Sequence, residues 1–72
     1  MTKKELIVLF NSKGKRNIYL APHLSMRGFF KDELMTMLGF DETNNKIRVF
    51  RHISNSEIEI LFDDLKEYKV LT

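Results

Sequence analysis

The sequence predicts an α+β fold: a small three-stranded sheet that begins with a β-hairpin, with two helices packed on one face, in the order strand-strand-helix-strand-helix. Three observations carry that expectation. Residues 4–11 form a dense Leu-Ile-Val-Phe run, and a short Gly-containing segment separates it from a second β-prone stretch. Residues 26–38 space their apolar side chains by three and four. Residues 57–69 place acids early and lysines late, with apolar residues at helical spacing.

Taken in order, Leu6, Ile7, Val8, Leu9 and Phe10 read as a first strand. Asn11-Ser12-Lys13-Gly14-Lys15-Arg16 reads as a turn, with Gly14 able to adopt a positive φ. Asn17 to Ala21 reads as the second strand, closed by Pro22, which has no N–H for a ladder. Ser25 is a candidate N-cap for the first helix, whose apolar face would be Met26, Phe29, Phe30, Leu34, Met37 and Leu38. Gly39 fits the position just past that helix, with Phe40 packing back on Met35. Asp41 to Asn45 is a polar loop. Lys46 to His52 alternates as a third strand, with Ile47 and Val49 facing one way and Arg48, Phe50 and His52 the other.

The last segment fits two periods. Ser56-Glu57-Ile58-Glu59-Ile60 alternates like a strand that would pair with 46–52. Ile58, Leu61, Phe62, Leu65 and Tyr68 fit a helix, with Ser54 or Ser56 as cap and Glu three residues later. Asp63-Asp64 disfavours a strand, and the expectation is a helix over about 57–69.

The chain has 72 residues, starts at Met1, and reads as a complete small gene product forming one domain over 1–72. Apolar residues make up 43% and charged residues 31%, so a folded chain is expected rather than a disordered one. Cysteine is absent, which removes disulfides, zinc–thiolate sites and thiol catalysis, and favours a cytoplasmic setting. No apolar run approaches the ~20 residues of a membrane span, and no membrane partner is expected.

Catalysis has little foothold. The histidines are His23 and His52, and the serines are accounted for by turns and caps. The acids lack the alternating pattern of a calcium loop. The chain is therefore read as not an enzyme, with no cofactor, no metal and no small-molecule substrate.

Charge is uneven. Net charge is +2 overall, but residues 1–31 hold seven bases against Glu5, and residues 32–72 hold five bases against nine acids. This asymmetry either pairs one half of the domain with the other or faces a charged partner.

Two surfaces follow. A first strand that is apolar on both faces would leave one face of the sheet uncovered. Ile7, Leu9, Tyr19 and Phe50, with Arg48 at the margin, would then form an apolar and aromatic patch that binds a partner protein or a second copy of the chain. The composition is that of small standalone regulators or inhibitors, some of them from phage or mobile elements. The alternative is nucleic-acid binding, DNA-binding included, with Lys13, Lys15 and Arg16 at a hairpin tip and Arg27 nearby contacting phosphates.

Overall fold

The computed structural model describes all 72 residues. Its elements are helix α1 (Lys3–Lys13), strands β1 (Tyr19–Pro22), β2 (Met35–Asp41), β3 (Lys46–Arg51) and β4 (Ser56–Leu61), a 3-10 helix (Phe62–Glu67), and strand β5 (Tyr68–Leu71). The strands form one antiparallel sheet in the order β4-β3-β2-β1-β5. This overturns the expected three-stranded sheet with two helices on one face.

The first strand and its hairpin are replaced by α1. Thr2 begins the helix with a reciprocal capping box: its hydroxyl accepts from Glu5 N–H, and its own N–H donates to the Glu5 carboxylate at 2.9 Å. The apolar run of 6–10 is compatible with either element. Here the capping box and the docking of Leu6 decide for helix. Leu6 is fully buried, and Phe10 meets Phe40 edge-on at 5.7 Å. At the far end Asn17 Nδ2 donates to Lys13 O, and Gly14 takes φ +88°.

The expected helix over 26–38 is instead a twelve-residue connection, 23–34, and the start of β2. Of the expected apolar face, Met26, Phe29, Phe30 and Leu34 lie in this connection, and only Met37 and Leu38 lie in β2, which is bulged. Met35 and Met37 point into the core, the pairing then shifts between Met37 and Gly39, and Phe40 faces inward opposite Ile47. Met35, Met37 and Phe40 thus mix odd and even positions on one side. Gly39 is no helix terminus. It lies under the Arg48 guanidinium, and a Cβ there would fall 2.8 Å from Nη2. Phe40 packs on Phe10 and Phe62, not on Met35.

The expected helix over 57–69 is β4, a 3-10 helix and β5. Alternation prevails over the helical spacing because β3 offers a full ladder, from Lys46↔Leu61 to Arg51↔Ser56. Ser54 and Ser56 cap nothing; their hydroxyls bond each other at 2.6 Å. Asp63 and Asp64 fall in the 3-10 turn, where they are not strand residues. The β3 expectation matches in position and facing, and β1 matches within two residues.

Both hairpin turns, 42–45 and 52–55, end in an asparagine at positive φ, Asn45 at 60° and Asn55 at 51°. Asn tolerates this conformation better than other non-glycine residues. The core collects Leu6, Ile18, Leu20, Met35, Met37, Ile47, Val49, Ile60, Phe62, Leu65 and Tyr68, so every element except β5's outer end contributes to one cluster. No helix is long and apolar enough to cross a membrane.

Because Leu6 and Val8 sit on opposite sides of α1, their truncations should separate. Leu6→Ala should cost about 2–5 kcal/mol, as for a fully buried leucine. Val8→Ala, at an exposed site, should stay within about 0.5 kcal/mol. Urea denaturation of the two variants checks this, and equal costs would show that α1 is not docked as described.

Candidate functional site

Arg51 organises the most elaborate local structure in the molecule. Inward facing alternates along β3, so Ile47, Val49 and then Arg51 point to the core side. A charge in that position needs a partner. Glu33 supplies it with two bonds, Nε to Oε1 at 2.9 Å and Nη2 to Oε2 at 2.9 Å. The side chains are 17% and 5% exposed, the most buried ion pair of the chain. Arg51 also donates to Gly28 O at 2.8 Å and lies over the rings of Phe29 and Phe30 at 4.9 and 5.9 Å. The Arg51 hydrogen bonds hold the Glu33 carboxyl below its ordinary value, helped by the Phe30 N–H that donates to it at 2.7 Å.

Further ties fix the rest of segment 23–34. His23 N–H donates to Glu67 O, and Asp32 N–H donates to Pro22 O. Lys31 N–H donates to Ser25 Oγ, the hydroxyl expected to cap a helix. Arg27 pairs with Asp64 at 2.8 Å and Glu67 at 3.2 Å, and Lys69 pairs with Asp32 at 2.6 Å. Met26 and Phe29 bridge each other, and Phe29 meets Tyr68 edge-on. Arg27, Gly28 and Asp32 all hold positive φ. A loop so tied displays its outward side chains on a fixed backbone. Beside the polar His23, Arg27, Lys31 and Asp32 they include large apolar ones: Leu24 is 67% exposed, Phe30 58% and Leu34 50%, and Ile53 in the adjoining β3–β4 turn is 61% exposed.

The outer face of the sheet continues from there. Cross-strand partners share a face, so Leu71, Tyr19, Thr36, Phe50 and Glu57 form one row across all five strands. His52, two residues past Phe50, bonds Thr36 Oγ1 through Nε2 at 2.8 Å and stands edge-on to Phe50 at 5.0 Å. Tyr19 and Phe50 are half-buried and lie outside the core cluster. Arg48 is on this face, exposed and paired with Glu57 at 3.1 Å.

The structure therefore brings together Tyr19, Phe50 and Arg48 and removes Ile7 and Leu9 from them. Those two are on α1, half-buried and packed against the core. The basic residues are divided as well. Lys13, Lys15 and Arg16 are exposed, but at the turn from α1 to β1, not at a hairpin tip. Arg27 belongs to the loop at the other end of β1, with its charge engaged by Asp64 and Glu67.

Sequence reasoning missed Arg51, Glu33, Phe30, Leu34 and Ile53. One signal was available for Arg51: it continues the inward parity of Ile47 and Val49, which demands a buried counter-charge. Glu33 was hidden because 26–38 reads as a helix. No three His, Asp or Glu side chains converge to hold a metal ion. Comparison of the chain with protein-family models, with curated proteins and with solved structures finds no match in any of the three.

Glu33 contributes stability above its unfolded value near 4.5, and that contribution is lost as pH falls through its lower folded value. Glu33→Gln should therefore lower stability near neutral pH and flatten the fall in urea midpoint between about pH 5 and pH 3. An unchanged acid slope in Glu33→Gln would show that the pair does not couple to folding.

Proposed function

We propose that this chain is a small, non-enzymatic interaction protein, a regulator or inhibitor that binds a partner protein through the end of the sheet where segment 23–34 meets the β3–β4 turn. The observation that carries the reading is the clamped display of Phe30, Leu34 and Ile53. Each large apolar side chain left in water forgoes roughly 1.5–3 kcal/mol of burial, which a partner can recover. The Arg51–Glu33 clamp reduces the ordering cost that a flexible loop would impose on binding. Phe50 and Tyr19 extend the surface along the outer face, as an aromatic flank to the aliphatic anchors.

A protein partner suits this end better than a polyanion. Lys31 is the one Lys or Arg of segment 23–34 without an acid, while Arg27, Arg51 and Lys69 each already hold a carboxylate. Their charge is spent within the fold, and Leu34 and Ile53 offer no stacking plane to a base. The mechanism would be occlusion: the exposed anchors seat in an apolar surface of the partner and cover it.

The triple substitution Phe30→Ser, Leu34→Ser, Ile53→Ser tests this, because all three side chains are exposed and the fold should survive. Sedimentation of the purified proteins and cross-linking in cells, each with wild type beside the variant, should show an association that only the wild type makes. A wild type that stays monomeric and cross-links to the same proteins as the variant would overturn the reading.

A further inference from the structure

We propose that the α1–β1 turn, through Lys13, Lys15 and Arg16, binds the phosphate backbone of a nucleic acid. The site shares only Tyr19 with the partner surface, whose anchors Phe30, Leu34 and Ile53 gather at the opposite end of β1. The inference rests on where the ion pairs fall. Six of the nine acids in residues 32–72 are paired, four of them with bases of the same half: Glu33, Glu57 and Glu59 with Arg51, Arg48 and Lys46, and Asp32 with Lys69. The other two, Asp64 and Glu67, share Arg27. Of the seven bases in residues 1–31, Arg27 alone is engaged with a carboxylate; Lys3, Lys4, Lys13, Lys15, Arg16 and Lys31 make no ion pair. The uneven charge of the sequence is thus not cancelled inside the fold.

Three of these free bases stand within four residues, all exposed, on a turn whose backbone is fixed. Gly14 N–H donates to Phe10 O at 2.8 Å, Arg16 N–H to Met37 O at 3.3 Å, and Asn17 Nδ2 to Lys13 O at 2.6 Å. Arg16 is held at φ 70°. With the Gly14 and Arg16 N–H groups consumed, the turn is a poor backbone cradle for one phosphate, and the negative end of the α1 dipole lies beside it. What it presents is a set of spaced, long-reaching cations, which matches a polymer of repeating phosphates. Half-buried Tyr19 follows Arg16 by three residues as the first residue of β1, and an aromatic so close in sequence to the cations fits nucleic acid better than an acidic polypeptide.

The test is fluorescence anisotropy with labelled 20-nucleotide single-stranded RNA and DNA and a 20-base-pair duplex, titrated over salt. Three phosphate contacts predict a log–log salt slope of about −2 for single strands and about −3 for duplex, or roughly 20- to 40-fold weaker binding at 200 mM than at 50 mM salt. The variant Lys13→Gln, Lys15→Gln, Arg16→Asn should lose that binding and its slope; Asn is used because it tolerates the positive φ, and an unchanged melting temperature verifies the fold. Lys31→Gln with Lys66→Gln, two unpaired bases elsewhere, should keep the slope, and so should the Phe30, Leu34, Ile53 variant, which separates this inference from the partner surface. Four results would overturn the proposal: no binding at low salt, an unchanged slope in the turn variant, an equal loss in the Lys31 and Lys66 variant, or tighter binding to polyglutamate or to phosphatidylserine vesicles than to any of the nucleic acids.

Discussion

β2 occupies the middle of the sheet, and the extra residue in it governs what the other elements can do. Strict alternation that buries Met35 and Met37 would send Phe40 outward and Gly39 inward. The shift between Met37 and Gly39 resets the parity, so Phe40 enters the core and Gly39 faces out. Phe40 then receives Phe10 on one side and Phe62 on the other, both edge-on. These two contacts tie α1 and the 3-10 helix to the sheet. Lys3 reinforces the junction: it donates to Glu42 O and Asn45 Oδ1 and lies 5.0 Å from the centre of the Phe62 ring. On the other face, the missing side chain of Gly39 leaves room for the Arg48 guanidinium.

At the opposite end of the sheet the organising element is charged. Arg51 lies in register with core residues, directly opposite Met35. Taking the two charges out of water costs several kcal/mol, which their mutual attraction offsets only with good geometry. The bidentate pairing with Glu33 meets that condition, and both carboxylate oxygens are used. The return for the fold is specificity of the loop path. Glu33 must reach Arg51, Gly28 must present its carbonyl to the same guanidinium, and Phe29 and Phe30 must lie against it. Those constraints hold three residues at positive φ, which few sequences would adopt unaided.

The two ends differ in chemistry as a result. Around the clamped loop Arg27, Arg51 and Lys69 are matched by acids and Lys31 is not, and Leu24, Phe30, Leu34 and Ile53 are exposed apolar side chains. At the α1–β1 turn the bases are unmatched and the polar surface is cationic. Between them lies the outer face, with Tyr19, Thr36 and Phe50 in one cross-strand row and His52 bonded to Thr36. The three clustered free bases and the apolar anchors thus lie at opposite ends of β1.

Local signals in the sequence determined the parts that depend on nearest neighbours. The alternation of Lys46 to His52 specifies β3 and its facing, and the β-prone 17–21 segment specifies most of β1. The Thr2–Glu5 capping spacing also marks the start of α1, although the apolar run behind it reads equally well as strand. The sequence separately determined that charge is concentrated among the bases of residues 1–31. Tertiary structure decided the rest, because periodicity is ambiguous wherever pairing partners are distant. A bulged strand in the middle of a sheet mixes odd and even apolar positions. Ser56 to Leu61 is a strand because β3 lies beside it to accept its ladder. The partnership of Arg51 with Glu33, and the freedom of Lys13, Lys15 and Arg16 from any partner, follow from contacts between residues far apart in the chain, which no local pattern encodes.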